Sequence, residues 1–120
     1  MTAALPLTVT HCLERLARAV KPRDRLTVSQ WADGRRVLSS KDSNERGVFR
    51  ASRQPLFNEI MDALSDHSPV REITLMFPAQ FGKTLITTNW IGYTIHHAPG
   101  PMLGLMPTLD SRDAWKIQKL

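Results

Sequence analysis

Three adjacent residues, Gly82, Lys83 and Thr84, combine the groups that a polyphosphate requires. A nucleoside triphosphate presents several anionic oxygens, and the first turn of a helix offers unpaired backbone N–H groups at the positive end of its dipole. Gly82 lets the backbone approach those oxygens, Lys83 can set a mobile positive charge on the β and γ phosphates, and the Thr84 hydroxyl has the reach for a phosphate-bound Mg²⁺. The tripeptide also suits a lysine that merely caps or solvates a helix start, so the flanking elements decide between the readings.

Those flanks have the right order. Ile73-Thr74-Leu75-Met76-Phe77 is apolar and partly β-branched, which predicts a buried strand, and Pro78-Ala79-Gln80-Phe81 makes the turn before Gly82. Leu85, Ile86, Trp90, Ile91 and Ile95 then recur at helical spacing to about His96, and His97-Ala98-Pro99-Gly100-Pro101 ends that helix. The full phosphate-loop pattern places a further glycine five positions before Gly82, where this chain has Phe77. Met102-Leu103-Gly104-Leu105-Met106 reads as a second strand, and strand, helix, strand is the crossover unit of a mostly parallel sheet. Pro107-Thr108-Leu109-Asp110 opens a last helix with Thr108 or Asp110 as its cap.

Upstream, Cys12, Leu13, Leu16, Ala17 and Val20 mark an amphipathic helix over Thr10 to Val20, ended by Lys21-Pro22-Arg23. It can pack on its own domain or dock a partner, and Cys12 reads as a packed thiol. A short helix follows around Trp31, capped by Thr27 or Ser29 and stopped by Gly34. Leu38 to Arg53, with Ser39, Ser40, Asp42, Ser43, Asn44 and Gly47, reads as a long irregular connection. Pro55 starts a helix carrying Leu56, Phe57, Ile60, Met61 and Leu64, whose apolar face is expected on the sheet.

Other chemistries are poorly served. His96 and His97 are neighbours and cannot share a helix face, and His11 and His67 lack carboxylate or cysteine companions at ligand spacing. Cys12 is the only cysteine, which excludes an internal disulfide and a cysteine-rich zinc site, and no nucleophile turn is recognisable. The 120 residues allow at most one ordinary domain. A formal charge of +5 suits a polyanionic partner, although diffuse basic clusters are commonly solvated faces. No apolar run suggests a signal peptide or membrane span, so a soluble, cytoplasmic protein is expected.

Six ordered blocks carry a family resemblance: Val28 to Asp33, Arg36 to Ser39, Glu59 to Asp62, Pro78 to Thr84, Ile91 to Tyr93, and Pro107 to Asp110. The loop, helix, strand and Pro-Thr turn resemble the opening of helicase-like ATPases. The combined blocks resemble the large terminase subunit of tailed bacteriophages, of the lambda-like GpA type, from about Thr27 to the end.

The resemblance implies an α/β fold: the start of a P-loop NTPase (helicase-like) parallel sheet with flanking helices, preceded by a helical amino-terminal segment over residues 1–26, with a partial ATPase domain over 27–120. It implies a motor that packages double-stranded viral DNA into capsids with ATP and Mg²⁺ in the host cytoplasm, working as a homo-oligomer with a small terminase subunit and the capsid portal. Gly82, Lys83 and Thr84 would hold the phosphates and Mg²⁺, with Ala79, Gln80 and Phe81 forming the loop before them, and Thr108 would face DNA phosphate. The family's adenine-reading glutamine falls two residues after the proline matched by Pro55; Phe57 stands there, leaving Gln54 as the substitute.

No apolar run ending in paired acidic residues follows Met106, so no catalytic carboxylate is assigned. The expectation is an amino-terminal piece of such a motor that binds nucleotide weakly and turns it over poorly, with Ile73, Leu75, Leu103 and Leu105 left partly uncovered. A nucleotide-independent interaction module and a non-functional prophage remnant are the alternatives.

Overall fold

The computed structural model describes residues 7–38 and 46–119. Helix α1 (Leu7–Val20) is followed by α2 (Val28–Arg35), the short strands β1 (Val37–Leu38) and β2 (Gly47–Val48), a 3₁₀ turn at Ala51–Arg53, α3 (Pro55–Ala63), α4 (Lys83–His96) and α5 (Leu109–Lys119). The centre is a three-helix cluster of α2, α3 and α4, with Val28, Trp31, Ala32, Phe49, Phe57, Met61, Ile86 and Tyr93 as its buried apolar residues.

Local chemistry sets each helix start. Thr27 caps α2 through a reciprocal box, its hydroxyl accepting from the Gln30 N–H at 3.4 Å while its own N–H donates to Gln30 Oε1 at 3.1 Å. Pro55 occupies the first turn of α3, where its missing N–H costs nothing. Gly82 precedes α4 in the left-handed region, φ 99°. The Thr108 hydroxyl accepts from the Ser111 N–H at 3.1 Å and so caps α5.

Polar links fix the three central helices in register. The Val28 N–H donates to the buried Ser65 hydroxyl at 3.0 Å, and the Ser29 hydroxyl donates to the Asp62 carboxylate. Tyr93 on α4 sends its hydroxyl to Asp66 Oδ1 at 2.6 Å and to the Leu26 carbonyl at 3.0 Å, tying α4 to the segments flanking α2 and α3. Burial pushes the Tyr93 phenol up to about 12, helped by the Asp66 bond. That same bond from Tyr93, then the one from His67, holds the Asp66 carboxyl below its usual range.

Several expectations need correction. The only strand pairing among the described residues is antiparallel, Val37 opposite Val48 and Leu38 opposite Gly47, with all but Val37 inside the stretch expected to be irregular. Residues 39–45, including Ser39, Ser40, Asp42, Ser43 and Asn44, lie outside the described residues. Neither 73–77 nor 102–106 forms a strand, and no parallel sheet exists among the described residues. The reason is the absence of a ladder: a strand is defined by a neighbour about 4.8 Å away that takes up its N–H and C=O groups, and neither segment has one. Residues 73–77 still alternate, with Ile73, Leu75 and Phe77 half-buried and Thr74 and Met76 exposed. Leu103 and Leu105 are open to solvent, 85% and 84% exposed, as expected of uncovered apolar faces.

With no parallel sheet among the described residues to lie on, α3 packs instead on α2, α4 and the 3₁₀ turn. Helix α1 has the expected period, yet every residue from Thr8 to Val20 is exposed, and Cys12 is an exposed thiol rather than a packed one. No helix among the described residues is long and apolar enough to cross a membrane.

Candidate functional site: the loop before helix α4

The loop from Phe77 to Gly82 reverses the chain into α4 with two residues at positive φ, Gln80 at 58° and Gly82 at 99°. Glycine is required at the second of these on two counts. Its φ is unfavourable for other residues, and a Cβ there would sit 2.8 Å from Cε2 of Phe57. The Gly82 carbonyl is used at once by the helix, accepting from Leu85 at 3.0 Å and Ile86 at 3.2 Å.

Lys83 folds back across the loop. Its Nζ donates to the Phe77 carbonyl at 3.1 Å, closing the turn with a charge-assisted bond while the side chain stays exposed. Phe77 thus contributes its backbone where a glycine would stand, and its ring joins Phe57 and Phe81 in an aromatic triad with centroid separations of 6.3, 5.8 and 5.1 Å. Phe77, where the full phosphate-loop pattern has a glycine, and Phe57 are neighbours in space, and Phe57 with Phe81 forms one wall.

Beside that wall lies an open groove of about 480 Å³ lined by Gln54, Leu56, Phe57, Gln80, Phe81, Gly82 and Leu85. Gln54, at the start of α3, is therefore brought to the same groove as Gln80, Phe81 and Gly82. Thr84 is exposed in the first turn of α4, and Ala79 is exposed in the loop. Thr108 lies apart, at the exposed start of α5, with its hydroxyl engaged by Ser111. Sequence reasoning missed Phe57, Leu56 and Leu85 as groove residues; the signal was the spacing from Gln54 to Phe57 across the first turn of α3, which puts both on one side.

The donors suit a polyphosphate: a left-handed glycine ahead of a 14-residue helix, an ammonium within one loop's reach, and a hydroxyl in the next position. No group of three or more His, Cys, Asp or Glu that could hold a metal ion exists among the described residues. Neither the comparison with curated proteins nor that with solved structures returns a match. The family described as phage terminase large subunit gpA, ATPase domain, matches residues 43–120, a span that holds α3, the Phe77–Gly82 loop, α4 and α5; the chain belongs to that family.

Proposed function

We infer that this chain supplies the nucleotide-binding part of a motor that packages phage DNA, and that the loop before α4 takes the triphosphate of Mg-ATP. The observation that carries the reading is Lys83, held 3.1 Å from the Phe77 carbonyl at the mouth of a helix introduced by a left-handed Gly82. In the proposed complex the backbone of Ala79, Gln80, Phe81 and Gly82 surrounds the phosphates, Lys83 exchanges its carbonyl partner for phosphate oxygens, and the Thr84 hydroxyl meets the magnesium. Magnesium would neutralise the charge that builds on the phosphates as the terminal one is transferred.

Gln54 is proposed to meet the base, because it lines the same groove, while Phe57 and Phe81 give the base an apolar wall. Thr108 is proposed to face DNA phosphate, and residues 73–77 and 102–106 to serve as parallel strands in the assembled P-loop domain, which would cover Leu103 and Leu105. Double-stranded DNA, a small terminase subunit, the portal and further copies of the chain are the proposed partners. Binding of Mg-ATP by the wild-type chain and its loss in Lys83→Ala tests the reading; equal binding by both would refute it.

A second reading rests on α1. Val9, Leu13, Leu16 and Val20 leave its apolar stripe 40% to 74% exposed, as an interaction module would require. Partner binding that is indifferent to ATP, and abolished when residues up to Lys21 are deleted, would favour it.

A further inference from the structure

Helices α2 and α4 meet through a ring that can change its charge. Trp31 on α2 is only 7% exposed, and its indole N–H donates to Nδ1 of His96, the last residue of α4, at 3.2 Å. The two rings lie 6.1 Å apart, and one turn earlier on α4 a Cβ at Gly92 would meet the Trp31 ring at 2.6 Å. The bond is therefore part of the packing between the two helices. His96 itself is exposed, so solvent protons reach its ring.

The donors on either side leave His96 one role. An indole N–H and a guanidinium can only donate, and Nη1 of Arg35 stands 3.4 Å from Nε2 of the same imidazole. A neutral imidazole has one lone-pair nitrogen, so it accepts from Trp31 in one tautomer and from Arg35 in the other. Trp31 has the stronger claim: its bond is shorter, and its largely buried ring cannot turn to solvent as the exposed Arg35 can. A protonated imidazole carries N–H at both positions and accepts from neither.

The surrounding charges come from every element that meets there. Arg35 belongs to α2, Arg18 to α1, Lys21, Arg23 and Asp24 to the connection between those helices, and His97 follows α4; all line one open trough with His96. The four Lys and Arg groups oppose a further positive charge on the ring, while Asp24 and the carboxyl end of α4 favour it. Exposed charges of both signs are screened by solvent and salt, so the directional loss at Trp31 sets the sign. In the unfolded chain the ring takes up its proton without giving up that bond, so acid favours opening.

We propose that His96 is a proton-operated latch between α2 and α4: neutral, it accepts the buried indole N–H of Trp31, and protonated, it releases it. Acidification then loosens the carboxyl end of α4 from α2. The latch does not depend on nucleotide binding at Lys83.

The test compares the full wild-type chain with His96→Asn, whose side-chain oxygen can still accept from the indole but takes up no proton. Between about pH 8 and pH 5.5, the range in which imidazoles ordinarily titrate, the unfolding equilibrium constant of the wild type is expected to rise about five- to tenfold more than that of the variant, in urea unfolding. Nitrogen NMR of the wild type supplies a readout that needs no variant. His96 Nδ1 is expected to carry no proton at pH 8, and the Trp31 indole N–H resonance is expected to move with the titration of His96. The Trp90 and Trp115 indoles, for which no such bond exists among the described residues, should stay in place. An equal acid response in wild type and His96→Asn, a proton on Nδ1 at pH 8, or a Trp31 resonance that ignores the titration would each overturn the proposal.

Discussion

Lys83 Nζ and the carbonyl oxygen of Phe77 are 3.1 Å apart, so the side chain proposed to meet phosphate also closes the loop that carries it. The bond is to a neutral, exposed acceptor, and a phosphate oxygen carrying full charge is the stronger partner for an ammonium. The loop thereby holds its lysine over the helix start, and in the proposed complex phosphate replaces the carbonyl.

Gly82 should tolerate no side chain. In Gly82→Ala the new methyl would meet Phe57 at 2.8 Å with the backbone at φ 99°, so overpacking and strain act together. The expected loss is about 1–3 kcal/mol in denaturant unfolding, with nucleotide binding reduced alongside. Phe57→Leu in the same background should return part of the stability by making room.

Gly92 offers a contest between two effects of known size. Alanine inside a helix gains about 1 kcal/mol over glycine, but here its Cβ would lie 2.6 Å from Cη2 of the buried Trp31. Overpacking of about 1–3 kcal/mol should win, giving net destabilisation. Thermal melting that rises in Gly92→Ala would show that Trp31 can move aside freely.

Tyr93 and Asp66 should couple the stability of the helix cluster to pH. The Tyr93 phenol is raised from 10.0 to about 12, so its contribution is whole below pH 10 and disappears as pH rises towards 12. Asp66 is lowered from 3.8, so its contribution is whole above about pH 4 and fades as acid protonates it in the folded state. Tyr93→Phe should cost about 1–2 kcal/mol at neutral pH and flatten both limbs of the stability profile, measured by urea unfolding from about pH 3 to 11.

Gln54 should govern choice of base if it is the group that reads it. Gln54→Ala is expected to weaken ATP about fivefold, the worth of one hydrogen bond, and to leave GTP unchanged. Equal weakening of both nucleotides would assign Gln54 to the shape of the groove alone.

The helices were legible because their signals are local. Thr27 with Gln30, Pro55, Gly82 and Thr108 announce four helix starts by capping chemistry that depends on a few consecutive residues. The strands were not, because Ile73 to Phe77 has the composition of a strand and the alternating burial of one, while a ladder depends on a neighbour that no local pattern supplies. The groove was half legible. Gln80, Phe81 and Gly82 followed from the loop, but the triad of Phe57, Phe77 and Phe81 joins α3 to the loop across some twenty residues, beyond the reach of spacing rules. Cys12 failed for the same reason: periodicity showed an apolar face on α1 but could not show that no described residue covers it.

The most direct measurement is a calorimetric titration of Mg-ATP into the wild-type chain and into Lys83→Ala, each first shown to melt at the same temperature. Removing a charge-assisted bond worth about 1.5–3 kcal/mol should weaken binding roughly ten- to a hundredfold in the variant. Indistinguishable isotherms, or no heat from the wild type at any concentration of Mg-ATP, would contradict a phosphate-binding role for the loop before α4.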